Sequence, residues 1–205
     1  MIARPDFDLI TDLVPSGARV LDLGCGDGDL LRRLTAKGCT GTGVEIEPDQ
    51  VLRAIRSGVD VIELDVDEQL DEFAADSYDV VVLSRTLQAI HKPTAVLRQM
   101  RRIARDAVVS MPNFALWTNR LRLLRGRMPI SKDLPFEWFD TPNLHYSSIR
   151  DLEPLFARVG FAITRRITLD QRGLPHRLGR VAPNLLGSSA LYLLRRSEGV
   201  GEPTQ

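Results

Sequence analysis

Two kinds of residue with chemical capacity stand at telling places in this chain: glycines set two apart, and carboxylates that close apolar runs. The first group reads Val20-Leu21-Asp22-Leu23-Gly24-Cys25-Gly26-Asp27-Gly28. Glycines at alternate positions let a backbone turn tightly and approach a ligand without Cβ clashes. A helix starting behind them presents free N–H groups and the positive end of its dipole, which favours a carboxylate. Asp22 and Asp27 flank the loop, so a pyrophosphate would be repelled and a cationic group welcomed. The second carboxylate, Glu45, lies in Gly43-Val44-Glu45-Ile46-Glu47, 17 residues beyond Gly28. A carboxylate there can accept both hydroxyls of a ribose, and about 20 residues is the usual separation in such units. A solvated surface Glu is the alternative, and Glu47, beside Pro48, is the weaker acceptor. The third is Leu64-Asp65-Val66-Asp67. Here Asp65 can accept from an adenine amino group and the Val66 N–H can reach a ring nitrogen; an ordinary acidic turn is the competing reading.

The glycine spacing is not the dinucleotide fingerprint. That pattern needs a glycine five positions after the first, and here the position is Asp29. A nicotinamide cofactor is therefore disfavoured. A ligand with an ammonium and a sulfonium, S-adenosylmethionine (SAM) with its product S-adenosylhomocysteine, suits the charges better. The residues expected to hold it are Asp22, Gly24, Cys25, Gly26, Gly28, Glu45, Asp65, Val66 and, after a later strand, Ser84. Cys25 either touches the ligand or only fills the turn.

These residues need strand tips to carry them, and the periodicities supply the tips. Strands are predicted over 19–23, 40–46, 61–64, 78–83, 107–110, 161–169 and 191–195. Helices are predicted over 28–37, from Pro48 to Gly58, over 93–103, over 117–124 and from Ser147 or Ser148 to Val159. Leu30, Leu31 and Leu34 share one helical face, and Val96, Leu97 and Met100 another. The run Tyr78-Asp79-Val80-Val81-Val82-Leu83 is apolar at its centre, as in a parallel strand buried on both faces. Alternating β and α predicts an α/β Rossmann-like fold: a mostly parallel, seven-stranded sheet with helices on both faces. Ligands bind such sheets at the carboxyl ends of the strands. The stretch 170–189 is punctuated by Gly and Pro and receives no assignment.

Composition sets the outer bounds. At 205 residues, 43% hydrophobic and 26% charged, the chain suits one globular domain, expected over 1–197 with a frayed tail over 198–205. Lys plus Arg and Asp plus Glu are 27 each, so net charge points to neither nucleic acid nor an anionic membrane. Neither cysteine sits in a metal-ligand spacing, and no metal site is expected. No leader and no apolar run of about 20 residues is visible, so a cytoplasmic protein with no membrane span is expected.

The loop after the fourth strand reads Leu83-Ser84-Arg85-Thr86-Leu87-Gln88-Ala89-Ile90-His91-Lys92-Pro93. With Asp22 to Gly28, Glu45 and Asp65, it resembles the class I SAM-dependent methyltransferases. Many small-molecule members carry Leu-Glu-His where this chain has Leu87-Gln88-Ala89. Further motifs narrow the likeness: Ser110-Met111-Pro112-Asn113-Phe114, Gly126-Arg127-Met128-Pro129, and the run from Leu134 through Trp138 and Pro142 to His145. From about Val20 to Asp170 the chain resembles the MetW family of methionine-biosynthesis proteins. That resemblance implies a SAM-binding protein that works with a homoserine O-acyltransferase as partner or regulator. An active methyltransferase on a small molecule is the alternative.

Catalytic candidates are sparse. His145 follows the fifth strand, in a segment that commonly caps the acceptor site in this superfamily, and Gln88 stands where the departed motif falls. His145 can equally be a structural residue, and His91 reads as a solvated approach to a helix. The Asn-Pro-Pro-aromatic tetrapeptide of nucleic-acid methylases is absent, as is any Gly-x-Ser-x-Gly elbow. The chain is thus not expected to acylate homoserine itself. The basic run Arg120, Arg122, Arg125, Arg127 and Lys132 reads as a solvated face or a dock for an acidic protein patch. Phe136, Trp138 and Phe139 read as a lid, an interface anchor or, for Trp138, core.

Overall fold

Strand β1 (Arg19–Leu23) buries four residues in a row, and β4 (Tyr78–Ser84) buries five. Such strands need cover on both faces, and a layer of helices on each side supplies it. The structure is a computed structural model that describes residues 4–130, 136–142, 144–176, 179 and 181–198. Five further strands complete the sheet: β2 (Thr40–Glu45), β3 (Val61–Glu63), β5 (Ala104–Pro112), β6 (Phe161–Leu169) and β7 (Ser189–Arg196). The order is β3-β2-β1-β4-β5-β7-β6, with β7 antiparallel to both neighbours.

Side chains alternate across the sheet and divide the core in two. Leu21, Leu23, Val81, Leu83 and Val109 face α4 (Pro93–Ile103) and α6 (Ile149–Arg158). Val20, Val80, Val82 and Val108 face α1 (Asp6–Leu13), α2 (Asp29–Ala36) and Ala54 of α3 (Pro48–Arg56). The predicted faces hold: Leu30, Leu31, Leu34, Val96, Leu97 and Met100 are all buried. Ser148 caps α6 by accepting the Asp151 N–H at 3.2 Å. The eight-residue α5 (Trp117–Leu124) follows β5.

The structure departs from the sequence reading in three places. Helix α1 received no assignment, being only eight residues long. It is held from outside: the Lys37 ammonium donates to Thr11 O and Val14 O at 2.6 and 2.7 Å. Strand β5 runs three residues earlier than predicted because Ala104 pairs with Tyr78 directly after α4 ends. The unassigned stretch holds a turn closed by a Leu169–Pro175 bridge and the short α7 (Pro183–Leu186). Asn113 of the Ser110–Phe114 motif anchors that stretch, its amide donating to Gly187 O at 2.8 Å and Asn184 O at 3.1 Å. Lys132, Leu134, Pro135 and Asn143, and the predicted tail beyond Glu198, lie outside the described residues.

Candidate cofactor site

The chain leaves β1 toward β2 and β3 on one side and continues from β4 to β5 on the other. That reversal opens a crevice at the strands' carboxyl ends. A cavity of about 590 Å³ occupies it, walled by the loops after β1, β2, β3 and β4 and by Arg4 and Phe7.

The glycine loop is stitched to β2. Gly24 and Cys25 N–H both donate to Val44 O, at 2.8 and 3.0 Å. Gly24 sits at φ +71°, and a Cβ there would stand 2.6 Å from Thr86 Oγ1. Only glycine brings the β1 and β4 loops this close. At Gly26, φ +60°, a Cβ would approach Gln50 Oε1 to 3.1 Å. The Cys25 thiol is buried and packs against Gly43 beneath the turn, although the residue lines the cavity. Burial pushes that thiol well above its ordinary value, so it is no nucleophile.

Glu45 closes β2 as a buried carboxylate held by three backbone donors. Gly26 N–H reaches Oε2 at 2.8 Å, and Ile46 and Glu47 N–H reach Oε1 at 2.9 and 3.0 Å. A carboxylate has about four acceptor sites, so capacity remains for a ligand hydroxyl. Asp22 lies beneath the loop, 2% exposed. Burial drives its pKa up to about 7; nearby Arg4 opposes the rise and Glu45 adds to it.

Gly24, Cys25, Gly26, Glu45, Asp65, Val66 and Ser84 all line the cavity. Asp22 and Gly28 stand behind it, Gly28 at φ +80° packed against Val59. Asp65 also serves its own turn: its Oδ1 accepts the Asp67 N–H at 2.8 Å. The two catalytic candidates sit apart from this wall. Gln88 donates Nε2 to Arg85 O at 2.6 Å, and its Oε1 is buried without a hydrogen-bond partner among the described residues. His145 is exposed, and its backbone N–H donates to Gln88 O at 3.0 Å. His91 is exposed at the cavity rim.

Arg4, Asp6 and Asp67 take places in the site that the sequence alone does not single out, beside Arg85 of the loop after β4. Arg4 Nη2 donates to Ser84 Oγ and to Asp6 Oδ2, each at 2.7 Å, and its guanidinium stacks 4.1 Å over Phe7. Asp6, 1% exposed, also meets Arg85 at 3.5 Å. Arg85 is strained at φ +58°, with its N–H shared between Ser110 O and Oγ. Asp67 clamps the β3 loop to the β4 loop, accepting the His91 and Lys92 N–H groups at 2.9 and 2.7 Å. Burial lifts the Asp67 carboxyl, but these donors overcome it and hold the group below its ordinary value. The signal for the N-terminal group was the i, i+3, i+7 spacing of Phe7, Ile10 and Val14 after Pro5, too short to separate from a loop.

The sheet order and flanking helices are the Rossmann-like fold of SAM-dependent methyltransferases, and solved structures agree on it. An S-adenosylmethionine-dependent methyltransferase from Mesorhizobium loti superposes with a TM-score of 0.69 at 21% identity, covering 92% of this chain and 96% of that one. The family described as "Methionine biosynthesis protein MetW" matches residues 4–194, and the chain belongs to it. A Rhodopirellula baltica protein, "Bifunctional methionine biosynthesis protein MetXA/MetW", is 33% identical over 178 residues, 80% of this chain and 28% of that protein. A ubiquinone biosynthesis O-methyltransferase from Xanthomonas axonopodis pv. citri is 36% identical over 91 residues, 42% of this chain and 38% of the enzyme. The chain thus spans well under half of either curated relative. Among the described residues no helix is long and apolar enough to cross a membrane.

Proposed function

We propose that this chain binds SAM in the crevice and supports a homoserine O-acyltransferase, as the family's place in methionine biosynthesis suggests. The observation that carries the binding half is the donor set. The cavity offers carboxylates at Asp27, Asp29, Glu45, Asp65 and Asp67 and guanidinium groups at Arg4 and Arg85, around a loop where Cβ atoms would intrude. This complements a ligand with hydroxyls, an amine, a cation and a carboxylate. Glu45 accepts the ribose hydroxyls. Val66 and Asp65 meet the adenine edge. Arg4, with Ser84 oriented by Arg4 and Ser110, receives the carboxylate. Asp22 supplies negative potential from beneath the loop. When bound, SAM supplies an electrophilic methyl group.

The partner half is supported by the Rhodopirellula relative, whose name pairs MetXA with MetW in one chain. The test is the rate of homoserine acylation by the cognate acyltransferase, with and without this chain and with and without SAM. A strong rise on addition, modulated by SAM, is expected; an unchanged rate sinks the partner role. A second reading, methyl transfer to a small molecule, draws on the methyltransferase relatives. Labelled methyl from SAM on a metabolite, slowed by His145→Ala or Gln88→Ala, would favour it.

A further inference from the structure

Helix α5 is mounted inside out. Its buried residue is polar: Asn119, 1% exposed, donates Nδ2 to Phe114 O at 3.1 Å. Three of its four apolar residues, Trp117, Leu121 and Leu124, at i, i+4 and i+7, form one stripe and stand 50%, 37% and 85% exposed, and Leu123, off the stripe, is 43% exposed. A surface helix ordinarily turns such a stripe to the core. The same spacing anchors helices that dock into a partner's groove.

A second exposed apolar ridge follows α5 in the chain. Trp138 and Phe139 are each 71% exposed and pack edge to face at 5.6 Å. Tyr146 links the ridges, reaching Thr141 Oγ1 at 3.4 Å and stacking on Phe114 at 4.8 Å, just ahead of α5. Large aromatic side chains exposed together mark interaction surfaces rather than ordinary solvent faces.

The charge of α5 is one-sided, whereas the second ridge carries the exposed carboxylates Glu137 and Asp140. Arg120, Arg122, Arg125 and Arg127 lie on or just after α5, and no Asp or Glu occurs anywhere from 107 to 132. Among the described residues, no carboxylate lies within ion-pair distance of these four arginines; Arg120 spends Nε on Ala115 O. The complement of α5 is a protein surface with apolar sockets ringed by carboxylates.

We propose that α5, with Trp138, Phe139 and Tyr146, is the surface through which this chain docks on its homoserine O-acyltransferase. The inference rests on the partner reading above and adds the place of contact. Two further observations select that occupant. In the Rhodopirellula relative the matching segment is only 28% of the protein, so a second protein unit shares its chain. The arginine run also lacks interleaved aromatics that would stack bases.

The experiment measures, by calorimetric titration, the affinity of the cognate acyltransferase for the wild-type chain and for Leu124→Glu, Trp138→Ala and Leu52→Glu. Leu52 is 50% exposed on α3 and serves as a control on another face. Leu124→Glu and Trp138→Ala are expected to weaken association at least about tenfold. Melting temperature and SAM affinity should stay as in wild type, and Leu52→Glu should bind normally. Arg125→Glu should slow association and flatten its salt dependence. If the wild-type chain binds but both α5-face variants bind equally well, the docking surface is wrong and the partner reading stands. If the wild-type chain does not bind at all, the partner reading falls and takes this assignment with it. Loss only of self-association, or only of adhesion to anionic vesicles, in Leu124→Glu with acyltransferase affinity intact would also overturn the assignment.

Discussion

Asp22 allows a test of how the site recognises positive charge. Its carboxyl lies 2% exposed beneath the glycine loop, and burial raises its pKa to about 7. The group is then about one-tenth ionised at pH 6 and about nine-tenths ionised at pH 8. If the ligand's cation draws on the ionised form, SAM affinity rises nearly tenfold over that range, ~1.3 kcal/mol, with a proton released on binding below pH 7. Asp22→Asn keeps the shape and removes the titration, so binding should be weaker at pH 8 and almost flat with pH. Calorimetry in buffers of different ionisation enthalpy counts the proton directly. A wild-type chain with pH-independent affinity, or a variant with the wild-type profile, would mean that Asp22 ionisation plays no part in binding. The linkage also sets a sign for stability. A carboxyl raised from about 4 to about 7 binds its proton more tightly when folded, so its contribution is largest at low pH and declines between about pH 4 and 7.

Three further outcomes follow from the same geometry. Gly24→Ala places a Cβ 2.6 Å from Thr86 Oγ1 at φ +71°; it should cost ~1–3 kcal/mol and abolish SAM binding, with Thr86→Ala restoring part of the stability, as thermal melts would show. Arg4→Ala should lower SAM affinity about tenfold by calorimetry and destabilise the fold by leaving buried Asp6 with less compensation. Burial lifts the Asp6 carboxyl, but Arg4 and Arg85 overcome it and hold the group below its ordinary value. Its stabilisation is therefore complete above about pH 4 and lost as pH falls through the depressed folded value. Melting temperature below pH 4 should drop more steeply for wild type than for Asp6→Asn.

Short-range patterns along the chain are enough to specify the sheet and the line of the cavity wall. Repeated apolar runs closed by Gly24 to Gly28, Glu45, Asp65 and Ser84 specify strand tips, and parallel βα connections bring such tips to one edge. Nearest-neighbour chemistry is enough for that, because each motif directly follows its strand. What reaches that edge from elsewhere depends on long-range packing. Phe7 arrives on a helix too short to be stable by itself, with Arg4 just ahead of it, and Lys37 fastens that helix from some two dozen residues away. Burial sets the protonation of Asp22, and spacing cannot report burial. The outward turn of Trp117, Leu121 and Leu124 likewise appeared only in three dimensions. Their periodicity specifies a helix with one apolar stripe, but which side of α5 meets the core depends on where Asn119 finds its carbonyl partner.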